Sequence, residues 1–165
     1  MSFWDSRDVL LWHGTTLDRA LSIVLHGPDL SRSRKSMDFG QGFYLTTREK
    51  RAVDWSRKAV HRTGKQPAVV RWTVPYDDFL AWPKVAFADA GQTADDFWRF
   101  IQMNREMTTP HRSRPHGFFD IVIGPVSANY QRLSPVRELD QVSFHTDAAL
   151  ALLAVHLPEV LTVTP

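Results

Sequence analysis

Apolar positions recur along the chain with two different spacings. The run DVLLW at 8–12 is short and continuous, which predicts a buried strand. In TTLDRALSIVLHG the apolar residues follow at helical spacing, so we predict a helix that Thr15 or Thr16 caps and Gly27 ends. The same pattern predicts strands at 42–47, 68–74, 118–124 and 140–146, and helices at 48–62, 93–107 and 147–157.

The order of these elements bears on the fold class. Strands and helices interleave without a regular βαβ alternation, and no GxGxxG follows a predicted strand, so a Rossmann sheet is disfavoured. We predict an α+β fold of curved, mostly antiparallel strands with flanking helices. At 165 residues, the chain has the length of one domain, which we place at 1–165.

Composition excludes several classes of protein. No run approaches the ~18 apolar residues of a membrane span, and the N-terminus lacks the features of a secretory signal, which predicts a soluble, non-exported protein with no membrane partner. The absence of cysteine excludes disulfides, thiolate catalysis and Cys-ligated zinc. A reducing, cytoplasmic compartment is therefore expected.

Charge is unevenly spread. The formal net charge is only +2, yet residues 48–65 hold seven basic side chains against two acidic ones, and SRSRKS at 31–36 is also basic. One interpretation is a solvated helix face with a polar loop. The other is a basic rim for an anionic ligand, such as a pyrophosphate, or for an acidic partner protein.

Two stretches can build a cleft for a flat ring. In LWHGTT a predicted strand leads into His13 and Gly14; an imidazole can donate to a ribose hydroxyl, and a glycine leaves its backbone open to a planar amide. In DFGQGFYLTT the glycines permit a sharp turn before Tyr44, and Trp55 follows on the next helix. Each feature also has an ordinary structural explanation, as a surface histidine or as core aromatics.

A third stretch, LDQVSF, places Asp140 and Gln141 before an apolar run. Their side chains alternate in an extended strand, so only one of the two can face a given cleft. Either residue is also common in simple turns. Asn104 and Arg105, near the end of the predicted helix 93–107, could contact a ligand or an acceptor.

HGTT followed by FGQGFYLT resembles the nicotinamide-binding core of ADP-ribosyltransferases of the diphtheria-toxin and poly(ADP-ribose) polymerase type. A longer resemblance is to a bacterial family of ADP-ribosyltransferase-like proteins, the DUF3990 type. Six segments fall in that family's order: LWHGTT, DFGQGFYLTT, the Ala and Trp of RAVDWS, FWRFIQMNR, FDIVIGPVSAN and DQVSFHTDAALALL. The resemblance implies the ADP-ribosyltransferase fold, with a curved split β-sheet, and NAD as co-substrate.

The resemblance also implies roles for individual residues. It assigns His13 to the adenosine-side ribose, the backbone of Gly14 to the nicotinamide carboxamide, Tyr44 to the nicotinamide pocket and Trp55 to a second aromatic wall. The implied NAD-binding set is completed by Thr15, Gly42 and Phe43. Arg34, with Arg32 and Lys35, is suggested by charge alone to meet the phosphates.

The third catalytic position departs from the pattern. Polymerase-type enzymes carry a glutamate there, whereas this chain has Gln141 with Asp140 beside it. A glutamine can orient a ribose hydroxyl but lacks the negative charge that stabilises an oxocarbenium ion. The expected catalytic set is therefore His13, Tyr44 and Gln141, with Asp140 as the alternative, and chain elongation is disfavoured.

The resulting hypothesis is a toxin-like, NAD-dependent mono-ADP-ribosyltransferase acting on an unidentified macromolecular or small-molecule acceptor. Loops 76–96 and 108–117 are expected to select that acceptor, and family habit suggests an antitoxin or immunity protein as partner. The alternatives are an NAD glycohydrolase toxin, a small basic ribonuclease and an inactive NAD-binding module. No metal is expected, because His111 and His116 lack ligand spacing.

Overall fold

The computed structural model describes residues 8–61, 63–87, 94–106 and 119–164. Among them no helix is long and apolar enough to cross a membrane. The described residues also include two short 3₁₀ helices, at Leu30–Arg32 and Tyr130–Arg132. The main elements are β1 (Asp8–Thr16), α1 (Leu17–His26), β2 (Phe43–Leu45), α2 (Glu49–Val60), β3 (Pro67–Pro75), α3 (Tyr76–Ala81), β4 (Lys84–Ala86), α4 (Asp95–Glu106), β5 (Ile121–Asn129), β6 (Ser134–Phe144), α5 (Asp147–Ala154) and β7 (Glu159–Thr162).

These elements form two compact units. The described residues of the first unit come from 8–28, 45–82 and 150–164, and those of the second from 29–44 and 83–149. Two of the boundaries along the chain fall inside an element, one within β2 and one within α5.

A three-stranded antiparallel sheet in the order β1-β3-β7 forms the centre of the first unit. All nine residues of β1 pair with β3, from Asp8 opposite Pro75 to Thr16 opposite Pro67. Helix α2 packs on β1, where its Ala52 shares a core with Trp12, Val69 and Val163. The apolar stripe predicted for the helix 48–62 therefore covers the sheet.

The second unit contains a sheet in the order β2-β6-β5-β4. Strands β5 and β6 are antiparallel, whereas β4 and β5 are parallel. The core of this unit is aromatic, and Phe39 lies in it with no exposed surface. It is completed by Phe97, Trp98, Ile101 and Val122.

The predicted α+β class is confirmed, with differences at element ends. Strand β1 does not stop near residue 12 but continues to Thr16, so His13, Gly14 and Thr15 lie within a strand. Thr16 occupies the N-cap position of α1, and Gly27 ends that helix with φ of 81°. Part of the region predicted as loop 76–96 folds into α3 and β4, and the unpredicted β7 pairs with β3. The loop 108–117, with His111 and His116, lies outside the described residues.

Candidate functional site

The outer edge of β1 carries backbone groups that do not face the sheet. Trp12 exchanges both backbone hydrogen bonds with Thr46, at 2.8 and 2.9 Å, on the side away from β3. Backbone direction repeats every two residues in an antiparallel strand, so the N–H and C=O of Gly14 point to the same side as those of Trp12. Among the described residues, no hydrogen bond occupies these Gly14 groups. Gly14 is partly exposed.

The side of Gly14 that would carry a Cβ faces α2. A Cβ built there would lie 1.9 Å from the carbonyl oxygen of Ala52 and 2.9 Å from the backbone nitrogen of Ser56. Both atoms belong to the helix backbone and cannot rotate away. Glycine at this position is therefore required by the close approach of helix and strand, independently of any ligand.

The other residues predicted on this unit differ in exposure. His13 is partly exposed, and strand alternation puts its side chain on the face opposite to Trp12. Thr15 is buried. Trp55, on α2, is partly exposed, so part of its side chain lies outside the core.

On the second unit, residues 38–44 form a tight turn that leads into β2. Gly40 has φ of 87°, a conformation that glycine adopts without strain. The Tyr44 hydroxyl donates to the Gly40 carbonyl at 2.7 Å and accepts from the Phe39 N–H at 3.0 Å. Burial raises the pKa of this phenol well above 10, so it stays protonated at neutral pH.

The close packing of His145 against Gly42 accounts for the second glycine of the turn. A Cβ at Gly42 would lie 2.7 Å from Nδ1 of His145 and 2.9 Å from the Phe144 carbonyl oxygen. The same Nδ1 lies 2.8 Å from the Gln41 carbonyl oxygen, an acceptor, so Nδ1 carries the hydrogen. The rings of Tyr44 and His145 meet edge to face with centroids 6.2 Å apart.

Three buried polar residues alternate along the end of β6 and just beyond it: Gln141, Ser143 and His145. Strand alternation puts them on the same side, and each finds a partner. Ser143 Oγ lies 2.8 Å from Nε2 of His145 and 3.2 Å from the Val122 carbonyl oxygen. Because Ser143 is fully buried, this Ser–His pair supports the fold and is not placed to attack a substrate.

Asp38 is a buried carboxylate with four hydrogen bonds. Its Oδ1 accepts from Nε of Arg105 at 2.9 Å and from Nη2 at 2.5 Å. Its Oδ2 accepts from the Ser127 N–H at 2.8 Å and from Nε2 of Gln141 at 3.0 Å. Arg105 also donates to the Ser36 carbonyl and stacks over Tyr130, so the turn is tied to α4 and to the end of β5.

The orientation of the Gln141 amide follows from its neighbours. Nε2 lies 3.0 Å from Oδ2 of Asp38 and 3.0 Å from the Pro125 carbonyl oxygen. Both are acceptors, so the nitrogen, not the oxygen, must face them. No donor among the described residues is hydrogen-bonded to Oε1. This oxygen is therefore the group of Gln141 that is left for a further hydrogen bond.

The basic residues before the turn are exposed. Arg32 pairs with Asp29 at 3.2 Å, whereas Arg34 and Lys35 are exposed to solvent. Both cations lie within four residues of Asp38, the anchored start of the turn.

The predicted site residues are thus divided between the units. His13, Gly14, Thr15 and Trp55 belong to the first, and the second holds Arg34, Gly42, Phe43, Tyr44 and Gln141. Phe43 is buried, and so is Gln141, which lies in the later part of β6 rather than at a strand start. Convergence of all these residues on one pyridinium ring stays a prediction.

Sequence reasoning missed Asp38 and His145. The alternating polar residues of QVSFH were a usable signal, because polar side chains on one face of an apolar strand need buried partners. The sequence suggests Arg105 as a ligand contact, but its guanidinium is hydrogen-bonded to Asp38 and to the Ser36 carbonyl.

The first unit also has an open groove of about 370 Å³ beside α1. None of the predicted site residues lines it; its walls are Leu17, Asp18, Leu21, Lys65 and Gln66.

Comparison with known proteins adds one result. A search of curated proteins gives no match. A family model described as a protein of unknown function, DUF3990, matches residues 9–156. That range includes most of β1, the turn at 38–44 and all of β6. Because the match covers most of the chain, this protein belongs to the DUF3990 family.

Proposed function

We propose that this protein is an NAD-dependent mono-ADP-ribosyltransferase that transfers one ADP-ribose unit to an acceptor. The observation that carries the proposal is the outward-facing N–H and C=O of Gly14 on the edge of β1. A carboxamide has one donor side and one acceptor side, so it can form with Gly14 the reciprocal pair that Thr46 forms with Trp12.

The geometry at Gly14 discriminates among ligands. A carboxylate offers only acceptors and would leave the Gly14 carbonyl without a donor, whereas a primary amide satisfies both groups. Nicotinamide is a planar ring that carries such an amide. The exposed part of the Trp55 indole offers an apolar surface in the same unit, and a stacking contact contributes about 1 kcal/mol.

Residues of the second unit have separate parts in the proposal. Tyr44 supplies a ring whose hydroxyl is already bound to the turn, so the ring is held still. Gln141 supplies Oε1, which accepts a hydrogen bond from a ribose hydroxyl. Arg34 and Lys35 supply exposed positive charge for the pyrophosphate.

The reaction follows from these assignments. The bond between ribose C1′ and the nicotinamide nitrogen breaks, and its electron pair leaves with nicotinamide. The positive charge that develops on the ribose is stabilised by nearby dipoles, including Oε1 of Gln141. A nucleophilic oxygen or nitrogen of the acceptor then bonds to C1′ and releases its proton to solvent. Water in the acceptor's place would give hydrolysis instead.

The test uses NAD labelled separately on nicotinamide and on adenine, incubated with purified protein and a bacterial lysate. We expect free labelled nicotinamide together with adenine label on a lysate component. His13→Ala should abolish both signals. His26→Ala, at the exposed end of α1, is the matched control and should leave them unchanged.

Each other outcome has a definite meaning. Nicotinamide release with adenine label only on free ADP-ribose would replace transfer by the glycohydrolase alternative. Binding of NAD without release would indicate an inactive NAD-binding module. If the native protein neither binds nor cleaves NAD, the proposal is overturned.

A further inference from the structure

The Asp38–Gln141 pair raises the question of why residue 141 is a glutamine. Nε2 of Gln141 meets two acceptors, Asp38 and the Pro125 carbonyl, each at 3.0 Å. A glutamate here would put a carboxylate oxygen against another carboxylate and a carbonyl, all in a buried place. Like charges at that distance repel strongly in a low-dielectric interior. With Asp38 present, an amide is the side chain that fits and still presents an acceptor.

We infer that Asp38 is a positioning residue for Gln141, and that the two act as a unit where a single glutamate would otherwise serve. The inference rests on the proposed function. Asp38 fixes the amide so that Oε1, and not Nε2, is presented to the ribose. Without it, only the Pro125 carbonyl would hold the nitrogen in place, and rotation about the last side-chain torsion could present the donor instead, since the two amide orientations have nearly the same shape.

Asp38 also changes the electronic character of the amide. Hydrogen bonds to an ionised acceptor are stronger than neutral ones, and donation by the amide nitrogen polarises the whole group. Negative charge therefore increases on Oε1, the atom opposite to the donor. In this way the Asp38 carboxylate acts on the ribose through Gln141, without contacting the ribose itself. The polarised Oε1 supplies part of the negative charge that a glutamate would have at this position.

Arg105 holds Asp38 in place for this role. Its Nε and Nη2 both bind Oδ1, which leaves Oδ2 to Gln141 and to the Ser127 N–H. The two carboxylate oxygens are thus divided, one for the cation and one for the amide. The side chain of Asp38 is 4% exposed, so water does not compete for either oxygen.

The first test observes the amide directly and needs no NAD. In the free protein, both Nε2 hydrogens of Gln141 should give separate NMR signals that exchange slowly with water, assigned by their loss in Gln141→Ala. The amide of exposed Gln131 is the internal reference and should exchange fast. Asp38→Asn should broaden or shift the Gln141 signals, because an asparagine amide can place a donor opposite a donor. Equal exchange of both amides in the native protein would overturn the inference.

The second test is a double-mutant cycle on nicotinamide release. We expect Asp38→Asn to lower kcat by about tenfold or more with a change in KM below about threefold, and to have almost no effect in a Gln141→Ala background. Asp18→Asn, an exposed carboxylate paired with Lys65 and assigned to no part of the site, is the matched control and should leave kcat unchanged. Melting temperatures of all variants identify losses due to unfolding.

The cycle separates positioning from general support. An equal loss of kcat from Asp38→Asn in both backgrounds would refute coupling through Gln141. Gln141→Glu gives an independent check: we expect lower kcat, because the new carboxylate faces Asp38, whereas a gain would mean that residue 141 is simply a weakened glutamate. If the native protein shows a locked amide but releases no nicotinamide, the proposed function fails and the positioning of the amide stands.

Discussion

Tyr44 joins two roles that substitution can separate, because its hydroxyl and its ring point to different partners. The hydroxyl binds Gly40 and Phe39, and the partly exposed ring is the part assigned to nicotinamide. Tyr44→Phe leaves the Gly40 carbonyl and the Phe39 N–H without this partner and should lower the free energy of unfolding by about 1–3 kcal/mol. Urea denaturation of both proteins measures the difference.

The ring is tested by NAD affinity. Tyr44→Phe should bind NAD about as well as the native protein, whereas Tyr44→Ala should bind about tenfold more weakly, in line with a lost stacking contact of about 1 kcal/mol or more. The comparison is made by calorimetry on folded samples. Equal affinity of the alanine variant and the native protein would remove Tyr44 from the nicotinamide pocket.

Alkaline pH should act on the same hydroxyl. The folded protein holds the pKa of Tyr44 well above 10, because burial disfavours the phenolate, while the unfolded chain ionises near 10. A raised folded pKa means that the contribution to stability is complete below pH 10 and is lost as pH rises from there towards the folded value. Tyr44→Phe, which cannot ionise, should lose less stability between pH 9 and about 11. Parallel slopes for the two proteins would contradict the assignment.

What the sequence could predict at this scale depends on distance along the chain. Gly14, Gly42, Tyr44 and Gln141 can be named as candidate site residues from the sequence, because local spacing or the family resemblance indicates them. The partnership of Asp38 with Arg105 and Gln141 was not, since the residues are 67 and 103 positions apart and no local pattern links them. Only the fold brings such residues together.

At the scale of elements, the contact between β1 and α2 sets a strict requirement at Gly14. Gly14→Ala would drive a Cβ to 1.9 Å from the Ala52 carbonyl oxygen, so strand and helix must separate. Overpacking of this kind typically costs about 1–3 kcal/mol, and contact with a rigid helix backbone places this case at or above the upper end. Thermal unfolding should show a large loss.

A second glycine gives the matched control. Gly27 has φ of 81° but open space around it, so Gly27→Ala should cost only the backbone strain, about 1–2 kcal/mol. A larger loss for Gly27→Ala than for Gly14→Ala would contradict the packing argument. It also follows that Gly14 is a poor position for testing NAD binding, because its loss disturbs the fold first.

The predicted helices and strands agree with the structure where the periodic pattern of apolar residues extends over many positions. Helices α1, α2 and α4 and strand β3 show sustained patterns and lie within a few residues of their predicted places. The unpredicted α3, β4 and β7 have six, three and four residues, too few for a period to be seen. Helix α5 ends at Ala154 rather than at 157, in keeping with Pro158, which disfavours helix in the residue before it.

At the scale of the whole molecule, the salt dependence of ligand binding distinguishes the proposed function from that of a ribonuclease. The net charge of +2 is low for a protein that coats nucleic acid, yet Lys50 and Lys58 on α2 are exposed and could attract phosphates. Binding to an RNA through 6–10 phosphates weakens by about 10³–10⁵ between 50 and 200 mM salt. NAD carries a single pyrophosphate, so its binding should depend far less on salt.

The last prediction uses this difference in a thermal-shift experiment at 50 and 200 mM salt. At a concentration about 100 times its dissociation constant, NAD should add about 2.7 kcal/mol to the free energy of unfolding at either salt concentration. ADP-ribose, which lacks the nicotinamide that the proposal assigns to Gly14, should stabilise less at the same concentration. Lys58→Ala should leave the NAD effect unchanged, because the proposal assigns the pyrophosphate to Arg34 and Lys35 and gives Lys58 no contact with NAD. Stabilisation by a short RNA that vanishes at high salt and in Lys58→Ala, with none by NAD, would favour the ribonuclease instead.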